Sequence, residues 1–153
     1  MNKQPTPIQG QAGVMLLEAL IAILVFSLGI LSLVALQAVS IKLTGDARYR
    51  TDATLLANRL IGQMWVSGGD LSDLETNFKT GGDAYNAWLA DVAGTDGLPG
   101  VAAADGDVVS TLPTVDFVPG DGQVAVTLFW RTPGMPAAER HQYTVVSQIV
   151  RNP

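Results

Sequence analysis

Cysteine is absent from the chain, which rules out disulfides, thiolate metal sites and lipobox-type lipidation. Histidine occurs once, as His141, and no G-x-S-x-G, P-loop or H-E-x-x-H pattern is present. An enzyme is disfavoured by this lack of parts, since the Asp and Glu pairs fall on no predicted cleft-forming element. Positive charge is also scarce: Lys and Arg total 9 against 14 Asp and Glu, a net charge of -5. With no basic block anywhere, nucleic acid is a poor partner.

What the chain has in quantity is hydrocarbon, concentrated in one place. Ala19 to Ile41 is a run of 23 residues without a charge, 14 of them Leu, Ile, Val or Phe. As a helix it rises about 35 Å, enough to cross a hydrocarbon core of about 30 Å. At roughly 0.3 to 0.6 kcal/mol for each large apolar residue, insertion is favoured by about 4 to 8 kcal/mol. Glu18 stands at the head of this run, where its carboxylate costs less than the roughly 2.5 to 3.5 kcal/mol of a mid-helix acid. Insertion therefore wins, and the glutamate asks for a function and a cationic partner. Lys3 is the only charged side chain before Glu18, which places the N-terminal segment in the cytoplasm and the rest across the membrane.

Two simpler readings share the same hydrocarbon. Ala38-Val39-Ser40 offers a small-x-small site for ordinary signal peptidase, with Ile41 the new N-terminus, although the apolar run exceeds the roughly 7 to 15 residues of a signal peptide. A plain signal anchor is the other, and it leaves Gly13 and Glu18 without a role.

The segment Gly13-Val14-Met15-Leu16-Leu17-Glu18-Ala19-Leu20-Ile21-Ala22 resembles the class III signal of type IV pilins and pseudopilins. The resemblance implies cleavage by prepilin peptidase after Gly13, with 1–13 the leader, and N-methylation of Val14, which stands where the family usually has Phe or Met. A side-chain-free residue before the scissile bond suits close passage of an extended backbone into a membrane protease. Glu18 lies four residues from the new amino group, one helical turn away. In pili of the resembling family the glutamate is thought to meet the N-terminal amine of a neighbouring subunit, which would set the axial register. The resemblance further implies, as partners, the peptidase, the major and other minor pilins and an inner-membrane assembly platform. It implies a route from single-pass membrane protein to a surface fibre serving adhesion and motility. Gly29 to Gln37, and Ala87-Trp88-Leu89 followed by Leu98-Pro99-Gly100, are similar to segments of minor pilins of the type IV pilus. A pseudopilin of the type II secretion system and a membrane-anchored periplasmic binding module remain as alternatives.

Beyond Ile41 the helical pattern continues as an amphipathic one, with Tyr49, Ala53, Leu56, Leu60 and Met64 on one stripe. From Val14 to about Trp65 such a helix would measure about 78 Å. Gly29 and Gly45 are its weak points or its sites of close packing. Residues 42–153 leave 112 residues for one periplasmic headpiece. Ser67-Gly68-Gly69-Asp70 ends the long helix and Leu71 to Phe78 reads as a short irregular one. Asp83 reads as an N-cap, followed by Tyr85, Trp88, Leu89 and Val92 on one core-facing stripe.

Asp96, Asp105 and Asp107 raise calcium, but the regular oxygen-ligand spacing and closing Glu of an EF-hand are missing, so no metal or cofactor is called for. Strands are expected over Val108 to Leu112, Thr114 to Val118, Gln123 to Trp130 and Gln142 to Val150, with Gly120-Asp121-Gly122 a hairpin turn. Val124, Val126, Leu128 and Trp130 share one face, as do Tyr143, Val145 and Ile149, and His141 reads as exposed at a strand start. The expected fold is α+β: a long N-terminal helix packed on an antiparallel sheet spanning about 108–150. Without a disulfide, the last strand is to be held by pairing alone.

Overall fold

The computed structural model describes residues 11–119 and 121–150; of Gln11 and Ala12 it describes the backbone only. Lys3, most of the expected leader and Gly120 lie outside these residues. The elements, in order, are α1 (Gln11–Val66), α2 (Leu71–Phe78), α3 (Asp83–Val92), β1 (Thr114–Phe117), β2 (Gln123–Trp130) and β3 (His141–Gln148). The fold is α+β, a long N-terminal helix with a C-terminal three-stranded antiparallel sheet in the order β1-β2-β3. By its contacts the chain divides into Met1–Thr44 and Gly45–Pro153.

In the first unit α1 is apolar on every face between Glu18 and Lys42, and every side chain from Val14 to Leu43 is exposed. An all-round apolar helix is stable only when covered by lipid or protein. Ser27 and Ser32 turn their hydroxyls back onto the carbonyls of Ile23 and Leu28, at 2.7 and 2.9 Å, so neither offers a free polar group to hydrocarbon.

The second unit begins where α1 becomes amphipathic. Ala53, Ala57, Leu60, Ile61 and Met64 are buried, with Tyr49 and Leu56 packed at the margin. The stripe is the one expected from sequence, widened by Ala57 and Ile61. It faces the inner side of the sheet, where Val115, Val124, Val126, Leu128 and Trp130 are buried, and Ile149 closes the same core just after β3. Alternation in β2 sets this: even-numbered residues point to the helix and Ala125 and Thr127 do not.

α2 is a regular helix rather than an irregular one. Asp70 caps it, its Oδ1 accepting from the backbone N–H of Ser72 and of Asp73, both at 2.9 Å, and from the Ser72 hydroxyl at 2.8 Å. The Asp73 amide, then the Ser72 hydroxyl, hold the Asp70 carboxyl below its usual pKa. At α3 the cap lies one residue earlier than expected: Gly82 is the N-cap and Asp83 the first helical residue. Only glycine fits position 82, because an added Cβ would lie 2.3 Å from the carbonyl oxygen of Asn77. Asp83 acts there through the helix dipole instead of as a cap. α3 buries Tyr85, Trp88 and Val92. The Trp88 indole N–H donates to the Leu56 carbonyl at 3.0 Å and the Tyr85 hydroxyl donates to the Pro113 carbonyl at 2.7 Å. These two bonds tie α3 to α1 on one side and to the start of β1 on the other.

The expected strand at Val108–Leu112 does not form. Its backbone bonds run to separate segments: Val108 bridges Asp105, Val109 donates to Ala137, and Thr111 donates to Ala102. Thr111 is 1% exposed, and its hydroxyl donates to the Gly100 carbonyl at 2.6 Å and accepts from the Ala102 amide at 2.8 Å. Apolar alternation reports burial, not the presence of a neighbouring strand, and here the burial lies against loops. β3, by contrast, pairs with β2 along its whole length, from Trp130↔His141 to Gln123↔Gln148.

Candidate functional site

The residues singled out at the N-terminus all lie on α1. Gly13 and Val14 are within the helix, which begins at Gln11, so the Gly13–Val14 peptide is helical here and not extended. Val14 is 66% exposed, and no atom would obstruct a Cβ at Gly13. Glu18 is exposed and, among the described residues, takes part in no ion pair. It shares one helix face with Val14, Leu17, Ile21, Ala22 and Val25. The spacing follows from the helical repeat, and the result is a lone carboxylate set in an otherwise apolar stripe.

Among the described residues one helix is long and apolar enough to cross a membrane, within Gly13–Val66, and none of its most apolar window is buried. That lack of burial separates it from the core helix of a globular domain, whose apolar residues are covered by their own chain.

In the headpiece His141 is not the exposed residue expected. It opens β3 half-buried, with its ring stacked on Trp130 at 5.4 Å between centroids, and its Nε2 lies 4.0 Å from Asp46 Oδ1 on α1. Asp46, Arg50, Trp130, His141 and Gln142 line a shallow cleft. Sequence reading missed this grouping because Asp46 and His141 are far apart along the chain. A second groove, of about 420 Å³, runs between Arg48, Tyr49 and Asp52 on α1 and the loop Ala93–Ala102. Asp96 lies on that loop, whereas Asp105 and Asp107 flank the turn at Gly106 that the Asp105–Val108 bridge closes. Among the described residues no three His, Asp or Glu side chains gather to hold a metal ion.

Thr80 was not singled out by sequence. Its hydroxyl accepts from the Val115 amide at 2.9 Å, and its own amide donates to the Val115 carbonyl at 3.3 Å, so it occupies the outer edge of β1. No sequence signal marks a threonine in a Lys-Thr-Gly-Gly turn for that task. No protein-family model matches the chain, and no curated protein or solved structure matches it either.

Proposed function

We propose that the chain is a minor pilin of the type IV pilus, resembling PilV, whose work is assembly rather than catalysis. The single observation that carries this reading is Glu18: one carboxylate on an apolar helix face, one turn beyond Val14. An unpaired charge is expensive to bury, and retaining one at the head of a membrane-length helix calls for a cation delivered by assembly. An α-amino group created at Val14 supplies such a cation. After cleavage at Val14 the helix would start one turn before Glu18, so the carboxylate would lie near the N-terminal end of the membrane helix, where an acid costs less than at mid-helix. In the fibre the amine of an adjoining subunit neutralises it and fixes the axial register. The apolar surface from Met15 to Val39 then exchanges lipid for neighbouring helices.

Processing on this reading has a conformational requirement. The Gly13–Val14 bond lies inside the helix, and prepilin peptidase reaches it only after the first turn unwinds. About three backbone bonds, those accepted by the carbonyls of Gln11, Ala12 and Gly13, have to open. Gly13 lowers that barrier, since glycine weakens a helix by roughly 1 kcal/mol relative to alanine.

The test is incorporation. Glu18→Ala and Glu18→Gln are expected to be cleaved normally, to remain in the inner membrane and to be lost from sheared surface fibres. Full incorporation of both variants would remove the role given to the carboxylate. Wild-type protein confined to the envelope, with none in fibres, would instead favour a pseudopilin of the type II secretion system.

A further inference from the structure

Three Asp-Gly pairs occur in the chain, Asp96-Gly97, Asp105-Gly106 and Asp121-Gly122, and all three lie in loops of the headpiece. Aspartate followed by glycine has a chemistry of its own. The next main-chain nitrogen can attack the side-chain carboxyl and close a five-membered ring, and glycine has no side chain to hinder the approach. In a chain without structure the three pairs are equivalent. The fold makes them different.

Ring closure needs the glycine nitrogen to swing onto the aspartate Cγ, so the peptide between them must rotate. At Asp96-Gly97 that peptide is held. The Gly97 amide donates to the Gly94 carbonyl at 3.0 Å, and the next amide, Leu98, donates to the Val92 carbonyl at 2.8 Å. Gly97 also packs so closely on the Val92 carbonyl that a Cβ would not fit. At Asp121-Gly122 the glycine is buried and its carbonyl accepts from the Ile149 amide at 2.8 Å. The Asp121 carboxylate there accepts from the Gln148 side-chain amide at 3.3 Å.

Asp105-Gly106 has none of these restraints. Both residues are exposed, and among the described residues Asp105 takes part in no ion pair and the Gly106 amide has no backbone partner. Gly106 has φ +54°, a conformation that glycine adopts without strain, and an added Cβ would meet no atom within 4 Å. What closes the turn is the isolated Asp105–Val108 bridge, with amide-to-carbonyl bonds of 3.2 and 2.9 Å. A single exposed bridge opens far more readily than core structure. Asp107, the other acid of this turn, is followed by Val108, whose branched side chain shields the nitrogen. We infer that Asp105 is a site of spontaneous covalent modification, converting to isoaspartate through a cyclic imide with Gly106.

Water and protons alone balance the step. The Gly106 nitrogen bonds to Asp105 Cγ and loses its proton, and one carboxyl oxygen leaves as water with that proton and one from solvent. Water then adds at either ring carbonyl and breaks that carbonyl's bond to nitrogen, one proton going to the nitrogen and one to solvent. Attack at Cγ restores aspartate. Attack at the main-chain carbonyl carbon leaves the chain running through the former side chain, one carbon longer, with its net charge unchanged. The Asp105 carbonyl that accepts the Val108 amide becomes a carboxylate, so the bridge is altered. Val109 and Thr111 keep their bonds to Ala137 and Ala102, which confines the change to the turn.

Incubation of the full chain in detergent micelles, at neutral pH in heavy-oxygen water, tests the inference, because every ring opening leaves one heavy oxygen at the residue that closed it. After digestion in ordinary water, fragmentation in the mass spectrometer locates the label and separates isoaspartate from aspartate. In the folded chain Asp105 is expected to take up label about ten-fold or more faster than Asp96 or Asp121, and in urea the three rates are expected to converge. Asp105→Glu keeps the charge but needs a six-membered ring, so position 105 should then stay unlabelled while Asp96 and Asp121 keep their slow rates. No label at Asp105, equal rates at the three pairs in the folded chain, or faster uptake at either of the others would overturn the inference. Rates that stay apart in urea would show that sequence neighbours rather than the fold select Asp105, and would overturn it as well.

Discussion

Trp88 carries the attachment of α3 to α1, and its removal tests the headpiece core most severely. The ring is 2% exposed, lies 6.0 Å from the Tyr85 ring between centroids and donates its N–H to the Leu56 carbonyl. Truncation of a buried tryptophan to alanine costs about 3 to 5 kcal/mol, the transfer and cavity contributions together. Trp88→Phe keeps most of the apolar volume and loses the hydrogen bond, worth about 0.5 to 1.5 kcal/mol. The Leu56 carbonyl remains a helical acceptor in α1, so no fully orphaned buried group is added to that loss. With the smaller ring also leaving a gap, about 2 kcal/mol is expected for Trp88→Phe, half the effect of Trp88→Ala. The assay is urea unfolding of the full chain in micelles, followed by near-ultraviolet circular dichroism, with Leu55→Ala as control. Leu55 is 68% exposed on the opposite side of α1, and its truncation should stay within about 0.5 kcal/mol of wild type. A Trp88→Ala midpoint equal to that of Leu55→Ala would refute the packing described for α3.

Two further perturbations follow from the same core. Burial pushes the Tyr85 hydroxyl above the usual phenol range, so its contribution is complete below the unfolded value and is lost as pH rises through the folded one; Tyr85→Phe should be less stable than wild type at neutral pH yet lose less on going from about pH 9 to about pH 11 in thermal melts, a window that brackets the ordinary tyrosine titration, and identical alkaline losses would contradict this. Gly122 has φ +66° and an added Cβ would stand 2.4 Å from the Ile149 carbonyl oxygen; Gly122→Ala is expected to destabilise by roughly 2 kcal/mol or more, with fast exchange at the Ile149 amide, and a neutral effect would show that this turn adjusts freely.

The elements legible in the sequence were those whose signal is local and periodic. The stripe Tyr49, Ala53, Leu56, Leu60 and Met64, the helix bearing Tyr85 and Trp88, and the alternation of Val124, Val126, Leu128 and Trp130 each specify a face by repetition. What was not legible depends on which segments meet. Val108 to Leu112 alternates like a strand and has no strand beside it. Asp83 has the chemistry of a cap, but only Gly82 fits against the Asn77 carbonyl. His141 looks like a surface residue until Trp130 and Asp46 are brought to it by strand register. At the N-terminus the apolar stripe bearing Glu18 was legible, since helical spacing alone fixes it. The helical state of the Gly13–Val14 bond was not, because glycine before a scissile bond suits an extended backbone as well.

Intact mass and terminal sequencing of the native protein, recovered from membranes and from surface fibres, bear on the central claim most directly. The account predicts a chain that begins at Val14 with a methylated amine. A protein that keeps its first thirteen residues in its working location, or one that begins at Ile41 and has lost Glu18 altogether, would contradict it.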